Sequence, residues 1–181
     1  TALTERTEGW IAGLQIAVTL MQGCQDIPGF VAAFSGDNRY VMDYLISEVL
    51  DRQPDELRSF MLQTSILDRF TGDLCEAVTM HTDGSETLAV MERAGLFIVP
   101  LDDRRRWYRY YRLFADLLRR RLRQEQPEIL LVLHRRASEW YDCSGLARDA
   151  IRHALTGEDY QSAARLIEGV ADKIWGRGEY D

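Results

Sequence analysis

Nine arginines crowd residues 104–123, at 104, 105, 106, 109, 112, 119, 120, 121 and 123, with Trp107, Tyr108, Tyr110 and Tyr111 interleaved among them. Guanidinium groups grip phosphate in a forked geometry, and aromatic faces stack on bases. Nucleic-acid binding would be sought here first. Other chemistry finds little support. A GxxxxGK[ST] phosphate cradle needs a lysine after glycine, whereas the single lysine, Lys173, sits between Asp172 and Ile174. No GxSxG elbow is present, and no cysteine is paired with a nominated histidine, so nucleophilic catalysis has no candidate. His81, His134 and His153 are scattered without metal-ligand spacing, and packing or surface roles are the favoured reading. Cys24, Cys75 and Cys143 form neither a CxxC pair nor a disulfide framework, which fits a reducing cytosol. The expectation is a non-enzymatic chain with no catalytic residue and no metal site.

The balance of charge constrains the partners. A formal charge of −7 opposes whole-surface attraction to a phosphate backbone, so any contact with DNA would have to be local. Hydrophobic residues make up 46% of 181 positions, enough to bury a core in one domain or two small ones. Apolar runs such as Ile129 to Leu133 fall far short of the ~20 residues a membrane span needs, so a soluble, cytoplasmic protein without a membrane partner is expected. The chain starts at Thr1 in or just before a helix, which reads as a piece of something longer.

These residues must be positioned by helices. Trp10, Ile11, Leu14, Ala17, Val18 and Met21 recur at helical spacing from Thr7 to a stop at Gly23. Further helices are predicted over Pro28 to Phe34 and Arg39 to Leu50. Pro54 suits the first turn of the next, where its missing N–H costs nothing, and Leu57, Phe60 and Met61 continue it. Thr71 and Ser85 are read as caps of helices running to about Thr79 and Ala94. The period then changes. Leu96 to Leu101 is β-prone, Asp102 to Arg105 is a charged turn, and Arg106 to Tyr111 alternates, which predicts a two-stranded hairpin. Alternation on a hairpin is best read as one face on the core and the other against a neighbouring domain.

Three helices followed by a hairpin is the order of a winged helix. Another helix follows from Leu113, broken near Pro127, and helices at about Glu128 to Cys143, Leu146 to Leu155 and Tyr160 to Val170 are joined by short links that favour antiparallel packing. The fold class expected is mainly α: a helical bundle segment over 1–50, a winged-helix module with a short β-hairpin over 51–124, and tetratricopeptide-like helices over 125–181. A groove-reading helix needs donors for base edges. The one expected there, Ser85 to Ala94, carries Glu86 and Glu92 and only Arg93. An interdomain role for the arginines is therefore favoured, with a DNA-binding winged helix as the alternative.

Arg6 to Gln15 (RTEGWIAGLQ), Asp43-Tyr44-Leu45, Glu48-Val49-Leu50, Thr64 to Asp68 (TSILD), Leu96 to Asp102 (LFIVPLD), Trp107-Tyr108-Arg109-Tyr110 before Leu113-Phe114, Leu133 to Ala137 (LHRRA) and Ala150 to Leu155 (AIRHAL) follow one another in a familiar order. In that order the sequence resembles the MalT-like, LuxR-type signal-transduction ATPases, large transcriptional regulators. The resemblance implies a central fragment: the end of a helical domain, the winged helix, and an arm or first sensor repeats. It implies ATP or ADP in the full-length parent and no cofactor in this piece. The implied partners are the parent's own nucleotide-binding domain and sensor repeats, with DNA reached only through a helix-turn-helix outside this chain, and an oligomer in the active parent.

Two nucleotide-proximal motifs of that class map onto this chain by resemblance. A Gly-x-Pro that touches adenine falls on Gly9-Trp10-Ile11, with Ile in place of Pro. A histidine that approaches the β-phosphate falls on Tyr111, beside Arg112. A phenol can donate one hydrogen bond to a phosphate oxygen, but it adds no positive charge as imidazole does, and Arg109 and Arg112 are the residues that could restore it.

Overall fold

The computed structural model describes residues 50–94 and 98–175. The helices expected over 7–23, 28–34 and 39–50, and with them Gly9, Trp10 and Ile11, lie outside the described residues, Leu50 apart. Helix α1 (Asp55–Thr64) starts directly after Pro54, and Asp55 and Glu56 place negative charge at its positive end. Its inward face buries Phe60, Met61 and Leu62, each worth about 1.5–3 kcal/mol relative to exposure.

Helix α2 (Gly72–Thr79) is capped as expected, the Thr71 hydroxyl accepting the Leu74 N–H at 3.2 Å. It ends on Met80 in the left-handed region, φ 61°. Helix α3 (Gly84–Ala94) begins one residue before the expected cap, so Ser85 lies inside its first turn. The cap comes from another helix: the Glu76 carboxylate on α2 accepts the Gly84 N–H at 3.0 Å. The starts of α2 and α3 meet at a pair of glycines. A Cβ on Gly72 would stand 2.0 Å from Ser85 Oγ and 2.8 Å from its Cα, and one on Gly84 would stand 2.5 Å from the Gly72 carbonyl oxygen.

Strands β1 (Ile98–Pro100) and β2 (Tyr108–Tyr110) form the hairpin, antiparallel, with Ile98 opposite Tyr110 and Pro100 opposite Tyr108. It is shorter than the alternation predicts. The Asp102 carboxylate accepts the N–H groups of Arg106 (3.1 Å) and Trp107 (2.9 Å), which folds that end of the second segment into a turn. These bonds hold the Asp102 carboxyl below its ordinary range, the Arg106 N–H foremost. Phe70 adds a third line to the sheet, its N–H and carbonyl exchanging bonds with Tyr108 at 2.8 and 2.9 Å.

Helix α4 (Arg112–Glu125) buries Leu113, Phe114, Leu117, Leu118 and Leu122 and packs on α1. A 3-10 turn at Pro127–Ile129 leads into α5 (Leu130–Cys143), then α6 (Ala147–Thr156) and α7 (Tyr160–Trp175). Ala150, Ala154 and Ala163 are buried where α6 meets α5 and α7, so small side chains permit that approach. Gly145, at φ +72°, supplies the left-handed step after α5. The arrangement is mainly helical with one small antiparallel hairpin. No helix among the described residues is long and apolar enough to cross a membrane.

Candidate functional site at the wing and the arm

The hairpin and its loop, called the wing here, present two faces. Tyr108 and Tyr110 point into the core. The Tyr110 hydroxyl lies 2.6 Å from Thr64 Oγ1 on α1, and its ring packs 4.8 Å from Phe70. Burial pushes the Tyr110 phenol far above its usual range, so it stays protonated and serves as a core hydrogen bond. Trp107 faces the other way, meeting Trp140 of α5 edge-on at 6.4 Å between centroids. One side of the aromatic ladder packs on the core, as expected, and Trp107 on the other meets α5.

Arg69 organises that second face. Its guanidinium lies 4.9 Å from the Trp107 ring centroid and 3.3 Å from Asp149 on α6, while its main-chain carbonyl accepts the Tyr141 hydroxyl at 3.2 Å. Around it, Arg152 of α6 pairs with Asp68, and Arg136 of α5 donates to the Val78 carbonyl at 3.1 Å, at the negative end of α2. Helices α2 and α5 pack directly on each other. The winged helix and α5–α6 therefore share a continuous seam of aromatic, ionic and main-chain contacts.

Of the nine arginines, 104, 105, 106, 112, 120 and 123 are exposed and 109, 119 and 121 half-buried, and several pair within the molecule. Arg105 reaches Glu92 of α3 at 3.1 Å, and the Tyr108 hydroxyl donates to the same carboxylate at 2.9 Å. Burial and the Glu92 partner push the Tyr108 phenol up to about 12. Arg119 donates to the Ser65 carbonyl (2.8 Å) and Asp68 (3.0 Å), and Arg121 pairs with Glu125, which also takes Arg58 at 2.6 Å. Glu92, which sits on the helix a groove reader would use, is committed to the wing.

Of the residues expected near a nucleotide, Tyr111 and Arg112 lie at the junction of β2 and α4. Tyr111 precedes the helix, half-buried against the core, and its carbonyl accepts the Ala115 N–H at 2.8 Å. Arg112 is the first, exposed residue of α4. Gly9, Trp10 and Ile11 lie outside the described residues, so their position relative to Tyr111 is not described.

One pairing escaped the sequence. His134 on α5 and His153 on α6 bring their Nδ1 atoms within 2.9 Å. His153 stacks on Tyr141 at 5.3 Å. Burial, the neighbouring ring and Arg152 lower His153 to about 3, and burial and Arg152 lower His134 to about 4. The legible signal was positional: the two histidines stand at similar distances on either side of the link after Cys143. Among the described residues no group of three or more possible ligands could hold a metal ion. Cys75 is buried, its thiol pushed up by burial, and Cys143 is exposed.

Comparison with known proteins matches residues 46–130 to the MalT winged helix domain. The serine/threonine-protein kinase PknK of Mycobacterium tuberculosis is 36% identical over 167 residues, covering 92% of this chain and 15% of the kinase. The HTH-type transcriptional regulator MalT of Klebsiella pneumoniae is 34% identical over 176 residues, covering 96% of this chain and 19% of the regulator. MalT of Vibrio cholerae is 29% identical over 187 residues, covering 99% of this chain and 20% of that protein. The chain thus spans between a seventh and a fifth of the length of these relatives. With three helices, the hairpin and the helix after it in the matched span, residues 46–130 belong to the MalT winged helix domain family.

Proposed function

We propose that this chain is the central coupling segment of a MalT-like transcriptional regulator, passing the state of a nucleotide-binding domain to sensor and DNA-binding ends. One observation carries the reading: the seam through Arg69, Trp107 and Trp140 fastens the winged helix to α5 and α6, so displacement of one is displacement of the other. Its similarity to both a kinase and transcriptional regulators supports a role upstream of any particular output. The chain itself performs no catalysis in this reading. ATP or ADP belongs to the parent, which works in the cytoplasm and reaches DNA through a separate helix-turn-helix.

Coupling requires contacts that differ between two states. Tyr111 and Arg112, at the β2–α4 junction, are the residues proposed to face the nucleotide domain, with Gly9, Trp10 and Ile11 on the preceding segment. Tyr111→Ala in the full-length parent is expected to change basal transcription or ADP retention. Unchanged nucleotide affinity together with unchanged transcription refutes the assignment. The DNA-binding alternative has less support because the helix a groove reader would use carries Glu86 and Glu92, the latter paired with the exposed Arg105. A mobility shift with the present chain at low salt, weakening steeply as salt rises, would restore it.

A further inference from the structure

Where α4 leaves the winged helix and α5 begins, Leu122, Leu130 and Leu131 wall a cleft of about 310 Å³ whose polar residues include Arg119, Arg123 and His134. That volume lies at the lower end of small-molecule sites, which are mostly apolar with a few convergent polar groups. The polar residues differ in what they have left to offer. Arg119 is spent on the Ser65 carbonyl and on Asp68. The Arg123 side chain is exposed and makes no hydrogen bond or ion pair with the described residues.

The state of His134 follows from its neighbours. Arg152 Nη2 lies 3.4 Å from His153 Nε2, and arginine only donates, so that nitrogen accepts. The His153 proton then sits on Nδ1 and is donated to His134 Nδ1, 2.9 Å away. The His134 proton is left on Nε2, the one ring donor not used within the pair. With the ring lowered to about 4 it is neutral near pH 7. The cleft therefore joins an apolar wall to a guanidinium without a side-chain partner among the described residues and to His134, whose Nε2–H is not used within the pair.

We propose that this cleft binds a small amphipathic carboxylate, its apolar body against Leu122, Leu130 and Leu131 and its carboxylate between the Arg123 guanidinium and the His134 Nε2–H. The occupant bridges α4 of the winged helix and α5 of the arm. This site is independent of the nucleotide-facing edge at Tyr111, and its presence or absence leaves the coupling assignment untouched.

The test titrates the chain with octanoate and with 1-octanol, following the imidazole nitrogen resonances of His134 and the melting temperature. Octanoate is expected to bind saturably and shift His134 Nε2, with 1-octanol at least about tenfold weaker because it lacks the charge-assisted bond. Arg123→Ala, at an exposed position the fold does not need, is expected to weaken octanoate by about tenfold and leave 1-octanol unchanged. Non-saturable binding of octanoate, equal affinity for the alcohol, or undiminished octanoate binding by Arg123→Ala would each overturn the proposal.

Discussion

The Arg69 guanidinium lies 4.9 Å from the centre of the Trp107 indole. This contact sits in the gap between the wing and α5, where the winged helix meets the segment that follows it. Cation–π contacts at partly exposed sites contribute about 0.5–1 kcal/mol, and surface ion pairs such as Arg69–Asp149 about 0–1 kcal/mol. The seam's strength comes from several modest contacts acting on one surface.

Trp107 and Trp140 are accordingly expected to be energetically coupled. In urea denaturation, Trp107→Ala should cost about 2–4 kcal/mol and a Trp107/Trp140 double-mutant cycle should return a coupling of about 0.5–1.5 kcal/mol. Additive single effects would mean that the wing and the arm are neighbours without being joined.

The glycine contact at the starts of α2 and α3 makes a sharper test. Gly72→Ala places a methyl group against the backbone of Ser85, which cannot retreat without moving α3, and a loss of about 3 kcal/mol or more is expected. Gly169→Ala in α7 meets nothing within 4 Å and is expected to stabilise by about 0.5–1 kcal/mol. Thermal melts of the two variants should move in opposite directions. A Gly72→Ala protein as stable as the parent sequence would show that the two helix starts are not in contact.

The histidine pair predicts a pH dependence. In the unfolded chain a histidine titrates near 6.5, whereas the folded protein holds His134 near about 4 and His153 near about 3. Between those values the unfolded state binds protons that the native rings refuse, so stability is full above about pH 6.5 and falls as pH drops toward 4. Asp68 and Asp149 oppose the depression at His153, and Arg152 reinforces it. His153→Gln is expected to flatten the difference in unfolding free energy between pH 7 and pH 5. The same difference in the variant and the unmodified chain would exclude the pair as its source.

Much of this fold is legible locally. The Thr71 cap, Pro54 ahead of α1 and the shift from helical to alternating period before the hairpin are written within a few residues of where they act. Ser85 misled because the cap of α3 is the Glu76 carboxylate, a side chain from another helix that no local pattern reveals. The hairpin looked longer than it is because Asp102 diverts two N–H groups into a turn. His134 and His153 looked unrelated because their meeting depends on how α5 and α6 close on each other. The arginine stretch was visible as charge, but its intramolecular partners Glu92, Asp68 and Glu125 lie on other elements or a turn away, and only the fold brings them into reach.

The bond pair between Phe70 and Tyr108 has a temporal meaning as well. A two-stranded hairpin is marginal by itself in water, and this one gains its third line from a residue synthesised well before either strand. On a ribosome, Phe70 emerges with its donor and acceptor unmet and waits through the synthesis of two helices before Tyr108 arrives. Closure of the sheet thus waits for Tyr108, and the docking of Trp140 for the helix beyond it, leaving the nascent winged helix open to helpers or proteases until then.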